Sequence, residues 1–504
     1  MSNPLYDGLF AVHKGKQTTF IFDSLNNINV SYDAFLKQAS QYANVITQQG
    51  LQPGDCLAAQ VGKSVSTLAL YAACVQAGVV YLPLNTAYTF SEIEYFVKDS
   101  EATLIVCSPE SEKGMGIIAA QYTARLMTQS DDGLSGSLFH ASQGVPTEFP
   151  TVDRTHDDIA SFLYTSGTTG RSKGAMLTQQ NLLSNCEILK EVWEFTEDDV
   201  LLHALPIFHI HGLFVAVNIA LKSGAKILLE PSFNLDRVIA LLPNVTTLMG
   251  VPTFYTRLLS DERFNRDLTK NMRLFVSGSA PLLPETHIQF EQRTGHRILE
   301  RYGMTETNMN TSNPYHGERR AGTVGFPLPN VELKITDPTT GETLPNGDIG
   351  QIEVRGPNVF KGYWNMPEKT AEELRPNGFF ITGDLGLIDK DGYVSIVGRN
   401  KDLIISGGYN IYPKEIELIL DEQVGVLESA VIGVPHPDFG ETVVGVLVAN
   451  GDLLDLEKIQ LAIKDSLARF KHPRQLVVIN ALPRNTMGKV QKNILREEYK
   501  QLFK

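Results

Sequence analysis

Within about the first hundred residues, three helix-then-strand units follow one another, and this repeat constrains the fold more than any other feature of the chain. Ser31 caps a segment in which Phe35, Ala39, Tyr42 and Ile46 recur at helical spacing, and Gly50 ends it. Pro53-Gly54-Asp55 turns into a strand running from Cys56 to Val61. A second helical pattern, Ser64 to Gln76, precedes the strand-like run Val79 to Leu84, and a third, Ser91 to Lys98, precedes Leu104 to Cys107. Such units close by right-handed crossovers onto a mainly parallel sheet, so the expected fold class is layered α/β. At 504 residues the chain exceeds one ordinary core, which points to two or more domains.

Beyond about residue 308 the pattern changes to period-two alternation. It is seen in Val331 to Ile335, Gln351 to Val354 and Tyr393 to Val397, separated by Gly, Pro, Asn and Asp turns. From about residue 402 a smaller α+β pattern follows. It has a helix from Pro413 to Leu420, strands near Ser429 to Val434 and Val443 to Val448, a helix from Leu456 to Phe470, and a strand from Leu476 to Ile479. The charged stretch Gly398-Arg399-Asn400-Lys401-Asp402 is the best linker. The expected organisation is a large N-terminal domain over 1–400, with a β-rich subdomain over about 309–400, and a small C-terminal α+β domain over 401–504. Residues 128–158, rich in Ser, Asp, Gly and Thr, read as a surface excursion.

The balance of 44 basic against 57 acidic side chains gives a formal charge of −13, which argues against nucleic acid or an anionic membrane as default partners. Cys56, Cys74, Cys107 and Cys186 sit in apolar patterns without C-x-x-C spacing and read as buried thiols of a reducing compartment. The first residues carry neither a basic region nor an apolar export core, and no run approaches a membrane span. A cytoplasmic location is expected.

Chemistry first enters at Thr165-Ser166-Gly167-Thr168-Thr169-Gly170-Arg171-Ser172-Lys173-Gly174, between the apolar run Ile159 to Tyr164 and a helical pattern beginning around Leu177 to Asn181. Glycines bare the backbone N–H groups, hydroxyls add short donors and Lys173 adds charge, a set suited to a polyphosphate. Ser172 and Gly174 break the G-x-x-x-x-G-K-[ST] pattern, so kinase and GTPase readings weaken. A solvated turn is the alternative for the loop taken alone.

Five further segments accompany the loop in order: Tyr302-Gly303-Met304-Thr305-Glu306-Thr307, Thr382-Gly383-Asp384, Gly398 to Asp402, Ser406-Gly407-Gly408-Tyr409-Asn410-Ile411, and Pro483-Arg484-Asn485-Thr486-Met487-Gly488-Lys489. Together they make the chain resemble the acyl-adenylate-forming synthetases, a family that includes acyl-CoA synthetases, coumarate-CoA ligases, firefly luciferase and peptide-synthetase adenylation domains. The resemblance implies attack of a carboxylate on the α-phosphate of ATP and displacement of AMP by a thiol. It implies that Thr165, Ser166, Gly167, Thr168, Thr169, Gly170 and Lys173 hold the leaving phosphates. It likewise implies that Thr305 and Glu306 take part in catalysis, with Glu306 on a magnesium ion. Gly278, Ser279, Ala280, Tyr302, Gly303 and Met304 are expected at the nucleotide, and Asp384 with Arg399 at its ribose. By the same resemblance Lys489 is the catalytic lysine, Lys401 the pivot of a domain rotation, and Ser406, Gly407, Gly408 and Tyr409 the loop presented to coenzyme A.

Arg301 stands where relatives that take bulky apolar acids carry glycine. It would fill the acyl space and offer a bidentate partner to a second carboxylate, which points to a short dicarboxylic acid. An ion pair with Glu300 or Glu306 is the alternative. The segments Val276 to Leu283, Glu300 to Tyr315 and Arg320 to Pro329 resemble the malonate-activating branch of the family, and they imply Ser277 as a helper to Arg301. His209 matches a pocket or gate residue of the wider family. His211 reads as a core histidine on a strand end, and the His-x-His pair lacks the further ligands a zinc site needs. The resemblance thus implies ligation of malonate to coenzyme A using ATP and magnesium. Methylmalonate, acetate or propionate, and a carrier-protein thiol in place of free coenzyme A, stay open.

Overall fold

A computed structural model describes residues 2–165, 172–406, 409–451, 454–485 and 488–503. Two compact units result: Met1–Gly322 with Phe326–Glu332 and Val354–Phe380, and Thr323–Gly325 with Leu333–Glu353 and Ile381–Lys504. The stretch 309–400 therefore contributes to both.

The first unit is layered α/β around two sheets. The six-stranded sheet runs Arg125–Thr128, Leu104–Cys107, Cys56–Gln60, Val80–Pro83, Ile159–Thr165, Lys173–Thr178. Every pairing in it is parallel except the last. The nine-stranded sheet runs Phe326–Pro327, Asn308–Ser312, Leu299–Met304, Leu274–Ser277, Thr247–Gly250, Val200–His203, Lys226–Leu229, Thr19–Asp23, Ile28–Ser31. Its interior is parallel and its margins antiparallel. The helix–strand repeat predicted this arrangement because Val65–Ala77 and Phe90–Ser100 each carry the chain back to another parallel strand, while Tyr32–Gln48 leads from the edge of the nine-stranded sheet to the first strand of the six-stranded one. Val65–Ala77 is buried at every residue, which explains why apolar residues predominate on all its sides. Residues 128–158 are more than an excursion. They contain the helix Ser137–Ser142, whose Leu138 is fully buried, and Val152 N–H donates to Gln76 O at 3.0 Å.

Most of a four-stranded sheet falls in the second unit, in the order Glu332–Thr336, Gly350–Arg355, Phe380–Ile388, Val394–Arg399. Its other sheet pairs Tyr409–Ile411, Ile404–Ser406, Gly440–Ala449 and Val426–His436 in turn, with Gln475–Ile479 parallel to Gly440–Ala449. Val431, Val443 and Leu447 pack in one core and Ala430, Ile432, Val444 and Val446 in another, so both sheet faces are covered. The helix expected to reach Phe470 stops at Ser466. Leu467 turns extended, and Phe470 lies in a separate short turn where its ring stacks on Tyr409 at 4.6 Å.

Candidate active site

The glycine- and hydroxyl-rich segment is flanked by two paired strands. After the loop the chain does not enter a helix directly: it returns as the strand Lys173–Thr178, antiparallel to Ile159–Thr165, with Thr165 opposite Lys173. The helix Gln179–Val192 begins only after that strand, and Thr178 and Asn181 form its capping box. Ser166, Gly167, Thr168, Thr169 and Gly170 lie outside the described residues. Their supports do not. Tyr164 O–H donates to Asp99 Oδ2 at 2.6 Å, Tyr95 O–H to Ser172 O at 2.6 Å, and Trp364 Nε1–H to Asp99 O at 2.8 Å.

Lys173 does not point freely to water. Its ammonium lies 3.2 Å from both oxygens of Glu373 and 4.0 Å from the centre of the Tyr363 ring. Tyr363 Oη in turn is 2.6 Å from Glu373 Oε2 and 2.9 Å from Glu306 Oε1. Burial, with Glu306 and Glu373 beside it, pushes this phenol far up, so it remains a hydrogen-bond donor near neutrality. Glu306 is buried in the turn between Leu299–Met304 and Asn308–Ser312. The same turn explains Gly303, where a Cβ would stand 1.9 Å from Asn308 O. Thr305 precedes Glu306 in that turn, and Met304 pairs with Asn308. Tyr302 is buried and pairs with Thr311.

A second cluster forms where Leu274–Ser277 runs parallel to Leu299–Met304, with Ser277 opposite Glu300. Arg301 is 3% exposed, and its Nε and Nη2 have no hydrogen-bond partner among the described residues. The two carboxylates next to it in sequence are engaged elsewhere: Glu300 lies 3.2 Å from His287 Nδ1, and Glu306 accepts from Tyr363. Burial pulls Arg301 down to about 9, which leaves the guanidinium charged near neutrality. Ser277 is 1% exposed and its Oγ also has no partner among the described residues. Gly278, Ser279 and Ala280 follow as a loop. Ser279 adopts a left-handed φ of 71°, and its hydroxyl lies 3.3 Å from His211 Nδ1.

His211 is not on a strand end. It opens a π-helix, His211–Val217, and is buried with Nε2 unpartnered among the described residues. Burial, followed by Arg301, His203 and His209, holds its pKa well below the usual histidine value, so it is neutral. His209 lies just before this helix, half-buried, its carbonyl accepting from Leu213 N–H at 3.1 Å. His211 was not singled out as a site residue in the sequence, and neither Tyr363 nor Glu373 carries a motif signal. Among the described residues no three His, Cys, Asp and Glu side chains gather as metal ligands.

The second unit holds the remaining motif residues. Asp384 is buried opposite Arg399, whose Nε is 2.8 Å from its Oδ1, and Asp384 N–H is received by Thr382 Oγ1 at 3.1 Å. Lys401 sits in the short turn Asn400–Asp402, and Arg496 is ion-paired with Asp402. Ser406 pairs with Tyr409 across a hairpin whose Gly407 and Gly408 lie outside the described residues. Lys489 is exposed in a turn where Asn485 N–H donates to its carbonyl at 2.9 Å and Asn485 Oδ1 accepts from its N–H at 3.0 Å.

A sequence profile described as AMP-binding enzyme matches residues 10–364, and one described as AMP-binding enzyme C-terminal domain matches residues 415–489. A malonate–CoA ligase of Arabidopsis thaliana is 36% identical over 453 residues, covering 83% of this chain and 74% of that protein. A feruloyl-CoA synthase of Amycolatopsis sp is 33% identical over 475 residues, covering 93% and 94%. Among solved structures, ATP-bound MatB from Rhodopseudomonas palustris superposes with a TM-score of 0.98 at 54% identity, covering 100% of both chains.

Proposed function

The chain belongs to the AMP-binding enzyme family, and from that premise we propose that it joins malonate to coenzyme A through malonyl-AMP, releasing AMP and pyrophosphate. The observation that carries the choice of acid is Arg301, a buried guanidinium whose Nε and Nη2 have no partner among the described residues, together with the buried Ser277 hydroxyl, which likewise has none there. An uncompensated buried cation costs several kcal/mol, so such a group is expected where an anion arrives with the ligand. Malonate supplies it: one carboxylate binds Arg301 and Ser277 while the other reacts. A neutral acid of the feruloyl kind would leave the cation stranded and meet its bulk.

Carboxylate attack on the α-phosphate needs positioning and neutralisation more than proton transfer. Thr165 and Lys173, opposite each other on paired strands, would hold the β- and γ-phosphates. Glu306 fits a magnesium ion, because that cation typically takes one or two protein carboxylates and completes its shell with phosphate oxygens and water. When bound, the ion would neutralise charge on the departing pyrophosphate. Asp384 would accept from the ribose hydroxyls, its carboxylate steadied by Arg399. Lys489 would bridge the reacting carboxylate and the α-phosphate, stabilising charge that grows as the P–O bond forms. Rotation about Lys401 would then withdraw Lys489 and present Ser406 to Tyr409 for thiol attack on the acyl carbonyl, with AMP as leaving group.

Free coenzyme A is the proposed thiol acceptor. A cytoplasmic location fits four buried, unpaired cysteines, and among the described residues no helix is long and apolar enough to cross a membrane. The test is AMP and acyl-CoA formation by the purified protein with malonate, methylmalonate, acetate, octanoate or coumarate. Preference for malonate is the expected result. Preference for a neutral acid would keep the ligase and overturn the choice of acid, and silence with every acid would overturn free coenzyme A as acceptor.

A further inference from the structure

Glu373 and Tyr363 come from a segment that none of the motifs includes, yet they connect the two charged groups on which the nucleotide reading rests. Lys173 and Glu373 are 200 positions apart, and Tyr363 and Glu306 are 57 apart. Glu373 receives Lys173 at 3.2 Å, Lys369 at 3.0 Å and the Tyr363 hydroxyl at 2.6 Å. The other side of that hydroxyl is 2.9 Å from Glu306. Within the first unit one unbroken chain of polar contacts therefore runs from the ammonium meant for phosphate to the carboxylate meant for the cation.

We propose that Glu373 and Tyr363 are positioning residues for the magnesium–nucleotide complex, with one carboxylate fixing Lys173 and, through the phenol, Glu306. The proposal rests on the reading of Lys173 and Glu306 given above. The arrangement explains how Lys173 can leave for a phosphate without stranding a half-buried anion: Glu373 keeps Lys369 and can receive the Tyr363 hydroxyl when Lys173 departs. It also explains why a phenol stands between two carboxylates. Its single proton serves one acceptor at a time, so it can hold Glu306 in one orientation before the cation arrives and turn to Glu373 afterwards. The ring itself is fixed independently, edge-on to Phe360 at 4.8 Å, so removing only the hydroxyl leaves the packing in place.

The test compares the dissociation constant of ATP with and without magnesium, measured by calorimetry on the full chain, for the wild type, Tyr363→Phe, Glu373→Gln and Glu306→Gln. The wild type binds ATP more tightly with magnesium. Tyr363→Phe should reduce that gain about tenfold, the scale seen when a residue that orients a metal ligand is lost. Glu373→Gln, which keeps the volume and shape of the side chain, should reduce it in the same direction. The KM for malonate and the Tm should stay at wild-type values in both. If Glu306→Gln removes the magnesium gain while Tyr363→Phe and Glu373→Gln keep it, the positioning role is overturned. If Glu306→Gln itself keeps the gain, the assignment of Glu306 fails, and the positioning role falls with it.

Discussion

The guanidinium of Arg301 occupies the space that a side chain on Gly278 would need: its Cζ lies 2.4 Å, and its Nη1 2.5 Å, from where a Cβ on Gly278 would stand. Glycine at 278 is thus the steric counterpart of arginine at 301: a side chain at the first would displace the second.

Gly278→Ala should displace Arg301 without removing its charge. A displacement on the order of 1 Å at a substrate-fixing group can cost ~10²-fold, so kcat/KM for malonate should fall by about that factor. The KM for ATP should change much less. Steady-state kinetics with each substrate varied in turn checks both, and an equal loss for ATP would show that the substitution acts on the nucleotide that Gly278 is also expected to meet, not through Arg301.

His203 gives a pH prediction with a definite sign. Burial, with Lys63 adding to it, lowers its pKa to about 3, and its Nε2 is 2.8 Å from Gly212 O. The unfolded chain titrates this group near 6.5 and so binds a proton that the folded chain refuses between about pH 6.5 and 3. The stability contribution is therefore complete above the unfolded pKa and is lost as pH falls through that window, with a slope up to ~1.4 kcal/mol per pH unit. Asp421, pushed up to about 6 by burial, acts in the opposite sense, so wild type must be compared with His203→Gln. Denaturant melts between pH 7 and 5 should show a shallower loss in the variant, and parallel curves would contradict the assignment.

Lys489→Ala should separate the two half-reactions. Adenylation, followed by pyrophosphate release, should fall by at least ~10²-fold, the scale for removing one preorganised donor to transition-state charge. Thioester formation from supplied malonyl-AMP should be largely retained. Equal loss in both halves would place Lys489 in both steps and remove the need for rotation at Lys401.

Much of this was legible in the sequence, for reasons specific to each element. The helix–strand repeat read correctly because the helices have caps and helical periodicity that survive without tertiary context, as at Ser31 and Thr89. The strand Val426–His436 read as only six residues, because both faces of that sheet are covered and alternation at its ends disappears. The returning strand Lys173–Thr178 was missed because its lysine, glycine and alanine, Lys173 to Ala175, lack strand propensity, and its pairing with Ile159–Thr165 is tertiary. Arg301 and Ser277 are each visible as residues, but their shared lack of partners is a property of three-dimensional surroundings. Tyr363 and Glu373 carry no local signal, since their meaning comes from groups 57 and 200 positions away. His211 was read as core because a buried histidine usually is one, and its neighbour Ser279 is 68 positions on.

The central claim is that Arg301 reads the second carboxylate of the acid, and the most direct measurement is kcat/KM for malonate and for acetate in Arg301→Gly. Losing one partner of a buried ion pair costs ~3–5 kcal/mol, so malonate should fall about 10²–10⁴-fold while acetate holds or rises. Malonate turnover that survives the substitution unchanged would contradict the account and reduce Arg301 to a structural residue.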